Sequence, residues 1–103
     1  MKYLKTYEDI ESPKIGDYVI CEDLQWGDLN IYISNHIGKI ISYDFTNKPY
    51  IYMVQYEDKI PEKYEDYFEI NSSNRCFSNK EIIHISKNRE ELEYIIQSKK
   101  YNL

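Results

Sequence analysis

Two cysteines and two histidines are the side chains of this 103-residue sequence with the most recognisable metal chemistry. Cys21, His36, Cys76 and His84 together have the composition of a Cys₂His₂ zinc set. Structural zinc sites draw such ligands from pairs that stand close together in the chain. All four residues stand alone here, so the sequence predicts no metal site and two reduced thiols packed as small apolar side chains.

The sequence also lacks the local motifs of catalytic and nucleotide-binding sites. No serine stands in a Gly-x-Ser-x-Gly elbow, and Gly16, Gly27 and Gly38 are too far apart to form a phosphate-binding loop. Acidic pairs such as Glu22-Asp23 and Glu57-Asp58 are ordinary solvated surface in a chain with 18 acidic residues. We therefore predict a protein that is not an enzyme and uses no cofactor.

Twelve tyrosines and one tryptophan are more informative. A core of this size cannot bury so many phenols with every hydroxyl satisfied, so several should reach the surface. Exposed aromatic rings beside carboxylates attract lysine and arginine through cation–π and ionic contacts. The predicted binding groove consists of aromatic and acidic residues: Trp26, Tyr18, Tyr43, Tyr50, Tyr52, Asp23, Asp28 and Asp44, with Asp17 and Glu22 beside them. The alternative is compositional: A/T-rich codons raise the tyrosine count, and Trp26 plugs one end of the fold.

The charge distribution indicates what such a groove would bind. The formal charge is −5, and residues 15–78 hold five basic and eleven acidic residues, a charge of −6. Direct nucleic-acid binding, which needs clustered lysine and arginine, is disfavoured, and a protein partner with a basic surface is favoured. The sequence shows neither a signal peptide nor an apolar run long enough to cross a bilayer, so we expect a cytoplasmic protein without a membrane partner.

Short β-prone segments follow one another along the chain and end in one helical segment. Strands are predicted at 15–21, 36–43 and 50–56, with shorter pieces at 67–70, 75–77 and 82–85, and residues 22–35 read as a long surface loop. In the third strand Tyr50, Tyr52, Val54 and Tyr56 should share one face, and Ile51, Met53 and Gln55 the other. Asn88, with Glu91 as its capping partner, predicts a helix over about 89–99.

The predicted organisation is an extension at 1–14, a β domain at 15–86 and a helix at 87–103 packed on it. Within the extension, Tyr3, Tyr7 and Ile10 recur at helical spacing and predict a short helical turn that ends before Pro13. The fold class is therefore mainly β, with about five strands and a short C-terminal α-helix.

The order of these segments resembles SH3-like small barrels of the KOW, Tudor and CarD-like kind. The resemblance rests on Gly16-Asp17 at the first strand and on Gly38 in the Ile-Gly-Lys-Ile-Ile strand; it covers about residues 15–56, with 82–85 as the closing strand. It implies a closed barrel, but the basic face of the KOW pattern is missing, so ribosome or polymerase binding is not carried over. With its A/T-rich usage, the chain also resembles small uncharacterised proteins of bacteriophages and large DNA viruses, which would place it in the host cytoplasm.

Two functions follow as hypotheses. The first is a protein-interaction module whose acidic, tyrosine-rich surface binds a basic or proline-containing segment. The second is an inhibitor whose acidic surface mimics a nucleic acid and blocks a host defence enzyme, a counter-defence protein. Competition with DNA or RNA for the same partner would distinguish the second from the first.

Overall fold

The computed structural model describes residues 13–70 and 72–102, with side chains as far as Lys99. The helical turn predicted around Tyr3 and Ile10, and with it most of the 1–14 extension, lies outside the described residues. The elements of the described part are β1 (Tyr18–Cys21), α1 (Gly27–Ile33), β2 (Gly38–Tyr43), β3 (Tyr52–Tyr56), a long 3₁₀ helix (Glu62–Tyr67), β4 (Asn74–Phe77), a short 3₁₀ helix (Asn79–Glu81), β5 (Ile82–Ser86) and α2 (Arg89–Asn102).

The five strands form one antiparallel sheet in the order β4-β3-β2-β1-β5. The prediction of a mainly β fold with about five strands and a C-terminal helix is confirmed. The ladders among the described residues leave β4 and β5 as the two edge strands. Closure of the sheet into a barrel therefore stays a prediction.

Gly16 and Gly38 occupy positions that favour glycine, the first because of its backbone conformation and the second because a neighbouring strand approaches closely. Gly16 has a φ of 98°, a left-handed conformation that suits glycine, in the turn before β1. Gly38 opens β2 opposite Val19 of β1 and Tyr56 of β3. A methyl group at Gly38 would overlap Val54 Cγ1, because the β3 side chains cross its backbone there.

The alternation of β3 separates two apolar clusters on the two faces of the sheet. Tyr52, Val54 and Tyr56 share one face, as predicted, and that face is buried. Tyr50, predicted to lie with them, precedes β3 and is exposed. The three buried residues share the larger cluster with Val19, Phe77 and residues of α1 and the long 3₁₀ helix. On the opposite face, Ile20 packs with Ile37, Leu92 and Ile96, so α2 covers the back of β1.

The prediction of an unbroken surface loop over 22–35 is wrong, because α1 lies within it. Leu29 and Ile33 are fully buried one helical turn apart and explain why the segment folds onto the core. Gly27 and Asn30, both poor helix formers, disguise that spacing. The β-piece predicted at 67–70 is also wrong: Tyr67 ends the long 3₁₀ helix, which buries Tyr64, and Phe68 follows it.

The C-terminal helix begins where the sequence predicts and runs slightly further, to Asn102. Asn88 Oδ1 accepts the Glu90 backbone N–H at 2.9 Å, as a helix cap should. The predicted capping bond of Glu91 differs from the one observed. The Ser86 hydroxyl donates a hydrogen bond to the Glu91 carboxylate, and the oxygen of that hydroxyl accepts a hydrogen bond from the Asn88 N–H. The cap thereby ties the helix start to the end of β5.

Candidate interaction surface

The turn that follows β1 is held by one carboxylate. Asp23 Oδ1 accepts the backbone N–H groups of Gln25 at 2.8 Å and Trp26 at 2.6 Å. The Asp23 N–H donates to Oδ1 of Asn30 in α1, also at 2.8 Å. Aspartate favours such turns because its side chain can satisfy backbone donors two and three residues on. Trp26 therefore enters α1 from a turn with a fixed backbone.

The second oxygen of the same carboxylate binds an arginine from the far edge of the sheet. Asp23 Oδ2 and Arg75 Nη2 are 2.7 Å apart, with 2% and 19% of the two side chains exposed. Arg75 Nη1 also donates to the backbone oxygen of Tyr67 at 2.6 Å. A buried charge needs such a partner. The pair thus links the Trp26 turn to the end of the long 3₁₀ helix.

These contacts bring an exposed tryptophan beside a tyrosine. The ring centroids of Trp26 and Tyr67 are 5.7 Å apart, with the planes tilted by 45°. Trp26 remains 49% exposed, and Leu24 in the same turn is also exposed. Asp28 and Asp66, both exposed, are close neighbours of the two rings in the chain. We call Leu24, Trp26, Tyr67 and these two acids the Trp26 surface.

A second exposed aromatic group lies on the connection between β2 and β3. Tyr43, Phe45 and Tyr50 are all exposed, and the Tyr43 and Phe45 rings meet edge to face at 5.2 Å. Asp44 accepts hydrogen bonds from the hydroxyl and the backbone N–H of Thr46, and these bonds lower the pKa of its carboxyl. The hairpin formed by β2, β3 and their connection therefore presents aromatic rings beside an ionised carboxylate.

The residues of the predicted groove do not lie together in the structure. Trp26 and Asp28 belong to the Trp26 surface, and Tyr43, Asp44 and Tyr50 belong to the hairpin. Asp23 and Tyr52 are buried, the first in its ion pair and the second in the larger cluster.

Tyr18 lies on the opposite side of the sheet from Tyr52. It packs against the cluster under α2, with Lys39 Nζ 5.6 Å from its ring centroid. Of the two flanking acids, Asp17 is buried and accepts the Lys14 N–H, and Glu22 is half-buried.

The Trp26 surface and the exposed aromatic group around Tyr43 are connected by side-chain contacts that pass through buried residues. Arg75 lies over the ring of Phe77, Phe77 pairs with Tyr52, and Tyr52 meets Tyr43 at 6.3 Å. Phe77 and Tyr52 are both buried. The described contacts therefore define two exposed aromatic patches on a shared core.

The residues with metal chemistry are dispersed. Cys21 is buried in β1, and desolvation raises the pKa of its thiol far above the usual range. Cys76 lies on the other face of the sheet, with its thiol 3.9 Å from the Met53 sulfur, while His36 follows α1 and His84 lies in β5. Between residues 13 and 102, leaving out Asn71, no three histidine, cysteine or acidic side chains are grouped to hold a metal ion.

Neither helix in the described part of the chain combines the length and apolar character that a bilayer span requires. Comparisons of the chain with protein-family models, with curated proteins and with solved structures find no match.

Proposed function

We propose that the chain is a non-enzymatic protein-interaction module that binds a basic protein segment on the Trp26 surface. The observation that carries the proposal is that Trp26 is half exposed on a turn whose backbone is fixed by a buried carboxylate. A large aromatic ring held in place loses little conformational entropy on binding, which is why tryptophan and tyrosine dominate binding hot spots.

Charge favours lysine and arginine in the partner. Asp28 and Asp66 are exposed carboxylates close to Trp26 and Tyr67 in the sequence, and residues 15–78 as a whole are acidic. A guanidinium or ammonium group can lie over Trp26 and Tyr67 while it pairs with these acids. Because the acids are exposed, the attraction should weaken as salt is added. A proline in the same segment would add apolar contact with the rings.

The finer fold is part of the same proposal. We infer an SH3-like small barrel from the antiparallel succession β1-β2-β3-β4 and from the return of β5 to pair with β1. The short 3₁₀ helix between β4 and β5 fits this arrangement. In such a barrel, Trp26 and Phe45 lie in the connections that follow β1 and β2, and Tyr67 lies in the connection that follows β3.

A second candidate function is the acidic mimic of a nucleic acid. It is favoured by the connection between β3 and β4, where six carboxylates are exposed over residues 57–69: Glu57, Asp58, Glu62, Glu65, Asp66 and Glu69. Only Lys59 and Lys63 oppose them there. A partner bound through this segment would be displaced by duplex DNA, whereas a partner bound through the aromatic rings would be lost with Trp26.

Selection of displayed random peptides on the immobilised chain tests the proposed function. Enrichment of peptides rich in lysine and arginine is expected, and immobilised Trp26→Ala should fail to retain them. Tyr94→Ala is the matched control, because Tyr94 is 74% exposed on α2, away from the Trp26 surface. No enrichment, or enrichment that survives the loss of Trp26, would refute the proposal.

A further inference from the structure

A cavity of about 380 Å³ lies where the C-terminal end of α1, the end of β3 and α2 meet. The Trp26 turn lies at the N-terminal end of α1, and the cavity lies at the C-terminal end of that helix. Ile37 and Ile96, from the cluster under α2, contribute the apolar part of its lining. A volume in this range suits a small ligand or a single long side chain.

The cavity carries more negative than positive charge. Its lining includes the carboxylates of Glu57, Asp58 and Glu93 and one guanidinium, that of Arg89. Arg89 already occupies two of the three, with Nη1 3.3 Å from Glu57 and Nε 2.9 Å from Glu93. Asp58 forms no ion pair within the part of the chain that the structure describes. One carboxylate of the cavity is therefore left for a ligand.

Aromatic rings line the cavity together with Asp58. The rings of Tyr32 and His36 stack with centroids 4.1 Å apart and planes 23° from parallel. Partial burial raises the pKa of the Tyr32 phenol, and the negative charge of Asp58 raises it further, so Asp58 acts on the same ring. The Tyr32 ring also meets the Tyr64 ring, with centroids 5.2 Å apart. The rings of Tyr32 and His36 and the Asp58 carboxylate together give the cavity a lining that attracts an organic cation.

The hydrogen-bonding groups agree with this chemistry. His36 Nδ1 lies 2.6 Å from the Tyr32 carbonyl oxygen, which only accepts, so Nδ1 carries the proton. The Asp58 carboxylate only accepts hydrogen bonds, so it favours a ligand rich in N–H donors.

We propose that this cavity binds an organic cation with a guanidinium or primary ammonium head. The head pairs with Asp58 beside the Tyr32 ring, and a short alkyl stem packs against Ile37 and Ile96. A free small molecule and an arginine side chain of a partner share this chemistry. The site does not depend on the Trp26 surface.

Titration of the ¹⁵N-labelled full chain with agmatine, followed by NMR, tests the site. Agmatine should shift the backbone amide signals of Asn35, Asp58 and Gln97, which line the cavity. The peptide acetyl-Gly-Arg-Gly-amide is a second arm: tighter binding of agmatine indicates a free cation, and tighter binding of the peptide indicates a partner side chain. The same peptide with neutral citrulline in place of arginine should leave the signals unchanged.

Variants make the test specific. Asp58→Asn should weaken agmatine binding about three- to fivefold, as expected for loss of one exposed charge pair. Glu90→Gln is the matched control, because Glu90 is exposed on α2 and does not line the cavity. Trp26→Ala should bind agmatine as the wild type does, which separates this site from the proposed function. Equal shifts with the citrulline peptide, equal binding by Asp58→Asn and Glu90→Gln, or no shift at millimolar agmatine would overturn the proposal.

Discussion

Asp23 and Arg75, separated by 52 positions in the sequence, form an ion pair 2.7 Å long that is almost completely withdrawn from solvent on the Asp23 side. The pair connects the turn after β1 with the edge strand β4, and through the Tyr67 carbonyl it also holds the end of the long 3₁₀ helix. The backbone segments that carry the rings of Trp26 and Tyr67 are therefore held by the same two charges.

Loss of this pair should cost far more stability than loss of a surface pair. Arg75→Met leaves the Asp23 carboxylate buried without its counter-ion, and we expect the free energy of unfolding to fall by about 3 kcal/mol. The chain's other arginine supplies the control: Arg89 pairs with exposed Glu57 and Glu93, so Arg89→Met should cost about 0 to 1 kcal/mol. Urea unfolding measures both, and similar losses would contradict the structural role assigned to Asp23.

The single tryptophan makes the rigidity of its turn measurable. Trp26 should show emission typical of a half-exposed indole and fluorescence anisotropy close to that of the whole molecule. Asp23→Ala removes the acceptor of the Trp26 N–H, so the anisotropy should fall and quenching by acrylamide should rise. Low anisotropy already in the folded wild type would show that the ring is not held.

Gly38 tests the close approach of β2 and β3. Gly38→Ala drives a methyl group into Val54 Cγ1 and should destabilise the fold by about 1 to 3 kcal/mol. Gly27→Ala is the matched substitution, because nothing lies within 4 Å of the added atom; at the start of α1 it should be neutral or stabilise by about 0.5 kcal/mol. Thermal or urea unfolding decides, and equal tolerance of the two changes would argue against the strand pairing.

A buried thiol and a buried phenol predict a loss of stability at alkaline pH. Burial raises the pKa of the Cys21 thiol and of the Tyr56 phenol, so the folded chain keeps both protons after the unfolded chain has released them. The contribution of the thiol is complete below its unfolded pKa of about 8.5, and that of the phenol is complete below its unfolded pKa of about 10. Above its own value, each contribution declines by about 1.4 kcal/mol per pH unit.

The variant Cys21→Ala isolates the thiol's share. Its free energy of unfolding should fall less steeply than that of the wild type between about pH 8.5 and 10, before tyrosine begins to contribute. Cys76→Ala keeps Cys21 and should retain the Cys21 share of the slope. Parallel curves for wild type and Cys21→Ala would show that the thiol is not protected in the folded state.

The elements governed by local pattern were predictable, and those governed by distant partners were less so. That Tyr52, Val54 and Tyr56 share one face of β3 follows from alternation alone, and the start of α2 follows from Asn88. The helix α1 was missed because only two fully buried positions, Leu29 and Ile33, mark its inner face.

In the candidate site, too, features set by local pattern were predictable and features set by distant contacts were not. Trp26 and the hairpin aromatics are recognisable by residue type, but Tyr18 and Tyr52 could be assigned to opposite faces only once the register of β1, β2 and β3 was known. Tyr67 and Arg75 were missed because their roles depend on contacts with a turn far away in the sequence. The one local signal was an arginine within a short β-prone segment, where a charge needs a buried partner.

The proposed role of Trp26 as the anchor for basic protein segments can be measured directly. The measurement is the dissociation constant of the best selected peptide for the wild type, Trp26→Ala and Tyr94→Ala, at low and at physiological salt. We expect binding to Trp26→Ala to be about tenfold weaker or more, binding to Tyr94→Ala to be unchanged, and binding of all three proteins to weaken at the higher salt. Equal affinities for the wild type and Trp26→Ala, or affinities independent of salt, would contradict the proposed role.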